Sequence, residues 1–361
     1  MITVSLCMIV KNEERHLARC LESVRDLADE IVIVDTGSTD GTKEIVGRYT
    51  DRVYDFPWRD DFAAARNAAF DKGTMEYLMW LDADDVLEEP DRQRFAALKR
   101  ELSPDVDVVM MRYHTAFDER GEPTFTYFRE RLIRREAGLR WEGAVHESIA
   151  ATGKVAWWEA AVSHRKDGLG DPDRNLRIYE GLLKARKVLS PREQFYYARE
   201  LTYHGRDEEA AEWLSRFLDE GRGWIENVLQ ACRDLAGCLE RLQREEEAFA
   251  ALTRALRYGP PRAELCCELG RFFFRHEEWA SAAYWYQRAL DCPGEEPAGA
   301  FVQPECRGYI PLMQLCVCSY RLGDLRGAIG YNERAGKLKP ESEAFRSNQA
   351  FFRAQTNAAG A

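Results

Sequence analysis

No stretch of this 361-residue chain approaches the roughly 20 consecutive apolar residues that span a bilayer, so no membrane crossing is expected. A surplus of positive charge is missing as well. Lys and Arg number 51 against 62 Asp and Glu, for a formal net charge of −11. Nucleic acid and anionic lipid surfaces both call for clustered cations, so neither is an expected partner. The ten cysteines include no C-x-x-C pair. Cys266-Cys267 and Cys316-x-Cys318 sit in helical patterns where both members cannot face one metal, and they read as reduced core thiols. There is no Gly-Lys-Ser/Thr ending after a strand, hence no Walker loop. The apolar first ten residues have no basic stretch before them and end at Lys11-Asn12-Glu13-Glu14. They read as a buried first strand and not as a signal peptide, which with the thiols predicts a cytoplasmic protein.

Two periodicities divide what is present. Up to about residue 165, short apolar runs alternate with helical stretches. Strands are predicted at 2–10, 30–35, 52–56 and 77–81, and helices at 13–24, 43–49 and 62–70. Continuous apolar strands separated by helices indicate a mostly parallel sheet covered on both faces. After Pro104 the pattern shifts to short strands at 107–113, 124–128, 131–134, 144–149 and 154–158, with a turn at 118–121, and the sheet should become mixed or antiparallel. From about Asn175 only helical periodicity remains. Ala210, Ala248, Ala282 and Ala328 recur in similar surroundings at spacings of 38, 34 and 46 residues, and Arg-Ala-Leu repeats at 254–256 and 288–290. A unit near 34 residues with small-residue contacts between paired helices is the tetratricopeptide pattern. The long interval holds a Pro- and Gly-rich insertion at about 291–309, either a binding loop or a tolerated surface insertion.

The chemistry is concentrated in the first half. Asp82-Ala83-Asp84-Asp85 follows an apolar strand directly. Ligands of open parallel sheets bind beyond the carboxyl ends of strands. Three carboxylates there repel one another unless a cation sits among them, and oxygen ligation suits Mg²⁺ or Mn²⁺. The alternative is an acidic cap for a helix beginning at Glu88-Glu89-Pro90. Asp35 ends another strand and belongs on the same rim, as does Lys11-Asn12-Glu13, where Asn12 is also a good helix cap. Arg66, in an Ala-rich helix, can reach a phosphate or close an internal salt bridge. Glu147 is a candidate general base, although on a strand it and His146 point to opposite faces. His164 is either a fourth member of the metal site or a lone surface imidazole.

Five segments carry a resemblance. They are Ser-Leu-Cys-Met-Ile-Val-Lys-Asn-Glu at 5–13, Ile-Val-Ile-Val-Asp-Thr-Gly-Ser-Thr-Asp-Gly-Thr at 31–42, Phe-Ala-Ala-Ala-Arg-Asn at 62–67, Leu-Asp-Ala-Asp-Asp at 81–85 and Val-His-Glu at 145–147. In this order they resemble family 2 glycosyltransferases of the GT-A fold. With the repeat tail, the chain is similar to the bacterial subgroup that includes enzymes glycosylating Cys or Ser of bacteriocin peptides (sublancin-type). The resemblance implies a GT-A, Rossmann-like mixed α/β domain over 1–170 and an all-α tetratricopeptide domain over 171–361. It implies a nucleotide-sugar donor, a UDP-hexose such as UDP-glucose, and inverting, metal-dependent transfer to a Cys or Ser side chain of a peptide or protein. Val10, Glu13, Asp35, Arg66 and Asp82 would bind the donor. Asp82, Asp84 and His164 would hold Mn²⁺ or Mg²⁺, and Glu147, with Asp85 in reserve, would be the base. A homodimer through the repeats is a further family-level expectation. A saccharide or glycolipid acceptor is the alternative within the family. A repeat scaffold beside an inert transferase domain is the non-enzymatic one, against which the intact carboxylates count.

Overall fold

The structure, a computed structural model, describes residues 1–165, 171–294 and 300–359. The expected domain boundary at 170 and the middle of the insertion expected at about 291–309 fall on 166–170 and 295–299, outside the described residues. The chain divides into two units, the first over Met1–Tyr196 and the second beginning at Tyr197. This division lies later than residue 170, because the first helix after the sheet buries Leu176, Ile178 and Tyr179, and the Tyr179 hydroxyl donates to the Val145 carbonyl at 3.3 Å.

The first unit runs β1 (Val4–Val10), α1 (Leu17–Val24), β2 (Glu30–Asp35), α2 (Thr42–Val46), β3 (Val53–Asp55), α3 (Phe62–Phe70), β4 (Tyr77–Met79), β5 (Asp85–Val86), α4 (Glu89–Glu101), β6 (Val108–Phe117), β7 (Pro123–Arg134), β8 (Trp141–Glu142), β9 (Ser148–Ile149), β10 (Val155–His164) and α5 (Arg174–Lys184). Eight strands form one sheet in the order β3-β2-β1-β4-β7-β6-β10-β5. The block β3-β2-β1-β4 is parallel, while β7 runs antiparallel to β4 and to β6. β1 has β2 on one side and β4 on the other, so the strand order reverses there and opens a crevice at the carboxyl ends.

Alternation along β1 sorts the two faces. Leu6 and Met8 join a core with Leu17, Leu21 and Phe95, whereas Cys7 packs on the opposite face with Val32, Val34 and Phe70. α1 buries Leu17, Cys20, Leu21 and Val24, one stripe of a 3.6-residue helix. It begins at Leu17 and not at residue 13, because Asn12 takes a left-handed conformation (φ 56°) and residues 13–16 form turns. Asn12 is therefore not a helix cap. Its side-chain oxygen accepts from the Thr39 amide at 2.8 Å and ties the loop after β1 to the loop after β2. The strands expected at 124–128 and 131–134 are one continuous β7. Only Ser148 and Ile149 of the strand expected at 144–149 are extended into a ladder, and residues 144–146 bend.

After α6 (Pro191–Tyr203), the second unit is built of α7 (Asp207–Glu220), α8 (Ile225–Arg241), α9 (Glu245–Arg254), α10 (Ala263–Arg275), α11 (Trp279–Asp291), α12 (Tyr309–Arg321), α13 (Leu325–Leu338) and α14 (Glu343–Ala359). From α7 to α9 and from α10 to α14, each helix packs on the next in sequence. The four aligned alanines are wholly buried, on α7, α9, α11 and α13. Five residues before each lies a left-handed residue: Gly205, Gln243, Glu277 and Gly323. The repeat thus extends to backbone conformation, and two of its turns place a side chain where glycine is preferred. Glu277→Gly is expected to raise stability by about 0.5–1 kcal/mol, read as a higher urea midpoint at unchanged m; a fall in the midpoint would refute it. All ten cysteines are free, and nine are buried. Among the described residues no helix is long and apolar enough to cross a membrane.

Candidate active site

The acidic turn lies just past the end of β4, after buried Trp80 and Leu81. It is closed on itself: the Asp85 amide donates to the Asp82 carbonyl at 3.0 Å, and the Asp82 amide donates to Asp85 Oδ2 at 3.0 Å. It does not cap α4, whose N-cap is Glu88. Instead Asp85 enters β5 and pairs with β10 at His164. That pairing brings the imidazole to the carboxylates across 79 residues of chain. His164 Nδ1 stands 3.2 Å from Asp84 Oδ1 and 3.2 Å from Asp85 Oδ1. The candidate ligand atoms of Asp84, Asp85 and His164 all lie within 4.8 Å of one another. The expected trio was Asp82, Asp84 and His164. Asp82 differs because its Oδ1 accepts from Arg66 Nη2 at 2.6 Å.

The electrostatics suit a divalent cation. Burial opposes charge on His164, but its hydrogen bonds to Asp84 and Asp85 overcome this and push its pKa up to about 10. Burial and the charges of Asp84 and Asp82 push the Glu13 carboxyl up to about 7. Asp82 behaves oppositely: burial raises it, yet the Arg66 guanidinium beside it holds it down to about 2. A site that keeps one imidazole protonated and a neighbouring carboxyl half-protonated has anionic charge to spare. The O, O, N donor set fits Mn²⁺ and, less well, Mg²⁺.

The loops after β1 and β2 form the adjoining rim. Val10 and Asp35 are register partners. Asp35 Oδ1 accepts from the amides of Gly37 and Ser38 at 2.8 and 2.9 Å, while buried Oδ2 has no partner among the described residues. Gly37 (φ 106°) is required by this turn. Glu13, whose amide donates to Thr42 Oγ1 at 2.7 Å, completes the rim. The expected donor-side residues Val10, Glu13, Asp35 and Asp82 therefore share the carboxyl ends of β1, β2 and β4.

Arg66 and Glu147 meet, but as an internal ion pair. Asp61 caps α3 by accepting from the Ala64 amide, and this helix points Arg66 inward. Arg66 Nε donates to Glu147 Oε1 at 2.5 Å, and its guanidinium lies 4.8 and 5.0 Å from the ring centres of Trp80 and Trp141. Glu147 arrives through the bend at His146 (φ 52°), which stacks on Tyr196 at 4.2 Å and frees Glu147 to turn in. Its side chain is only 10% exposed. Asp85 is 0% exposed and accepts from Asp82, from Arg131 Nη1 at 3.1 Å and from the Tyr113 hydroxyl at 2.9 Å. Both candidate bases are thus held in buried hydrogen bonds within the protein.

Three residues escaped sequence reading. Arg131 is 0% exposed and lies 3.8 and 4.3 Å from the ring centres of Trp80 and Tyr113. The Tyr113 hydroxyl joins Asp85 to His164 Nδ1, 3.0 Å away. Arg129 also faces Trp80, 4.9 Å from its ring centre. The available signal was a pair of arginines, 129 and 131, two apart in one strand and both facing the Trp80 ring.

Residues 5–153 match the family model for Glycosyl transferase family 2. The chain is 35% identical over 151 residues to a TPR repeat-containing protein of Synechococcus elongatus, covering 41% of this chain and 36% of that one. It is 26% identical over 236 residues to the SPbeta prophage-derived glycosyltransferase SunS of Bacillus subtilis, covering 60% and 53%. It is 32% identical over 166 residues to the lipopolysaccharide core biosynthesis glycosyltransferase LpsC of Rhizobium meliloti, covering 43% and 59%. The chain thus spans about half the length of the curated relatives it matches. Among solved structures, MamA of Desulfovibrio magneticus aligns at a TM-score of 0.38 and 18% identity over 48% of this chain and 89% of that one, too distant to add to the repeat assignment. The acidic turn, its rim and most of the mixed sheet thus lie in the residues that match glycosyltransferase family 2, and in this chain helices follow them.

Proposed function

We propose that the protein transfers a hexose from a UDP-sugar, with inversion and with Mn²⁺ or Mg²⁺, to a Cys or Ser side chain of a polypeptide. The observation that carries this reading is the Asp84, Asp85, His164 donor set at the strand ends, next to Asp35 with its unpaired buried oxygen. Asp84, Asp85 and His164 would hold the ion. When bound, it offsets charge on the departing diphosphate. Asp35 Oδ2 accepts a hydrogen bond from the nucleoside. Arg66, whose Nη1 has no partner among the described residues, adds positive charge beside the donor. Glu147 and Asp85 act through the groups they hold: Glu147 orients Arg66, and Asp85 orients His164 and Tyr113. A thiol acceptor suits this arrangement, because a Cys ionises near pH 8.5 and demands less of a base than a hydroxyl does. In the reaction the acceptor S–C1 bond forms, the C1–oxygen bond to the diphosphate breaks, and the thiol proton passes to solvent.

The test is UDP or GDP release from a panel of nucleotide sugars with Mn²⁺, followed by intact-mass analysis of a peptide bearing Cys and Ser. No release from any donor, with donor binding unaffected by Asp84→Ala, would end the proposal. The relative named for lipopolysaccharide core biosynthesis favours a saccharide acceptor as the second reading. It gains if sugar appears on a glycan and never on peptide.

Metal binding should depend on pH in a defined direction. The ion must displace the His164 proton, so Mn²⁺ affinity should rise about tenfold per unit from pH 6.5 towards 10. Without metal, the raised His164 contributes stability fully present below 6.5 and lost through 10, and the raised Glu13 makes stability fall between 4.5 and 7. The melting temperature should therefore decline as pH rises, and Mn²⁺ should flatten the decline. An affinity independent of pH over this range would contradict the assignment.

A further inference from the structure

Nine of the ten cysteines are buried, and the tenth is Cys292, at the C-terminal end of α11. It lines a cavity of about 400 Å³ formed by α8, α10 and the chain near Cys292 and Phe301, a volume that admits a small molecule. The wall is largely apolar, with Leu229, Leu265 and Phe301, and Arg307 lies on it as well. The Cys292 thiol donates to the Pro261 carbonyl at 3.5 Å, and Pro261 lines the same cavity.

Behind Cys292 lies a second thiol. α10 and α11 pack as a helical hairpin, so the first turn of α10 lies beside the end of α11. Cys266, in that first turn and 0% exposed, donates a hydrogen bond to the Cys292 thiol. The two thiols are therefore unequal. Burial pushes Cys266 up to about 12. Burial raises Cys292 as well, helped by Glu264 and Asp291, but the bond from Cys266 and the charge of Arg307 oppose it. A hydrogen bond donated to a thiol strengthens when that thiol ionises, so it favours the thiolate at Cys292. An open thiol that ionises first, backed by a closed thiol in contact with it, is what thiol–disulfide exchange requires.

Cys267 and Cys306 provide the comparison. Cys267 Sγ donates to the Cys306 carbonyl at 3.5 Å, and the two thiols are hydrogen-bonded as well. They are 7% and 3% exposed, so this pair has no open thiol at which exchange can begin.

We propose that Cys292 and Cys266 form a redox-modification site whose substrate is a disulfide of low molecular weight. The Cys292 thiolate attacks one sulfur of that disulfide, the S–S bond breaks, and one small thiolate leaves and takes up the proton that Cys292 released. Cys266 then gives up its proton, attacks the Cys292 sulfur and displaces the second small thiol, which takes up that proton. Two protein thiols are oxidised to one disulfide, and the small disulfide is reduced to two thiols. The product ties the end of α11, where the insertion begins, to the first turn of α10. The site is independent of the proposed sugar transfer.

The experiment incubates the reduced full chain with glutathione disulfide, traps the remaining thiols with an alkylating reagent and maps every cysteine by mass spectrometry of a digest. A Cys266–Cys292 cross-link should form first, with Cys267 and Cys306 still alkylated as free thiols. It should revert with dithiothreitol, and the oxidised chain should melt at a higher temperature, because a closed loop gains less entropy on unfolding. In Cys266→Ala the reaction should stop at a mixed disulfide on Cys292. In Cys292→Ser, oxidation of Cys266 should slow by about 10³-fold or more, since a buried thiol then reacts only from the unfolded chain. Cys292 is partly exposed, so Cys292→Ser keeps the fold and decides the matter even if Cys266→Ala does not melt cooperatively. Three results would each overturn the proposal: a mixed disulfide in the parent chain that never passes to Cys266, earlier oxidation of the Cys267–Cys306 pair, or unchanged oxidation of Cys266 in Cys292→Ser.

Discussion

Replacing Asp84 by alanine is expected to lower metal-dependent UDP release by about 10²–10³-fold or more, with little change in melting temperature. The expectation follows from what Asp84 touches. Its carboxylate is 17% exposed and contacts His164 Nδ1, so its loss removes part of the stability of protonated His164 while relieving repulsion among the carboxylates, and the two effects offset. The function asked of it is large. A divalent ion stabilises a departing diphosphate by several kcal/mol, and each 1.4 kcal/mol is a factor of ten in rate. His164→Ala should fall in the same direction by a smaller amount, since two oxygen ligands remain. The measurement is UDP release against Mn²⁺ concentration. Wild-type turnover in Asp84→Ala at saturating Mn²⁺ would remove the metal site as the basis of catalysis. Asp82→Ala should differ in kind, because it breaks the pair with Arg66 and not the donor set.

Replacing Arg131 by methionine should destabilise the first unit by about 3–5 kcal/mol. Both members of its pair with Asp85 are wholly inaccessible. Taking away the guanidinium leaves a buried carboxylate supported, among the described residues, by the Tyr113 hydroxyl, the Asp82 amide and His164. It also removes the cation lying 3.8 Å from the Trp80 ring centre. For a unit of this size, 1 kcal/mol corresponds to about 2–4 °C, so the expected fall in melting temperature is about 6–20 °C. Adding Asp85→Asn should recover part of it, because the uncompensated charge is then gone. A fall of less than about 2 °C would mean that Asp85 is protonated in the fold and that the pair is not ionic.

These two variants separate what was legible in the sequence from what was not. The alternation of apolar runs and helices, the late shift to antiparallel strands, and the four alanines of the repeat were readable, because each depends on local periodicity. So was the rim: Val10, Asp35 and Asp82 each follow or end an apolar strand, and parallel strands bring their carboxyl ends together whatever the loops do. The helix start at 13 was misplaced for an equally local reason, since a left-handed Asn12 leaves no periodic trace.

Side-chain pairing across long separations was decided by tertiary structure alone. Sequence placed His164 near the end of the domain. Only the antiparallel pairing of β5 with β10 determines that it meets Asp84 and Asp85 in preference to Asp82. Arg66 and Glu147 were singled out separately, Arg66 for a phosphate or an internal salt bridge and Glu147 as base. The bend at His146 joins them, and burial then makes each the other's counter-ion. The position of the acidic turn at the strand ends was therefore legible, because strand ends are a property of local sequence. Which of its carboxylates meets His164 and which meets an arginine was not, because that depends on strand register and on neighbours up to 81 residues away.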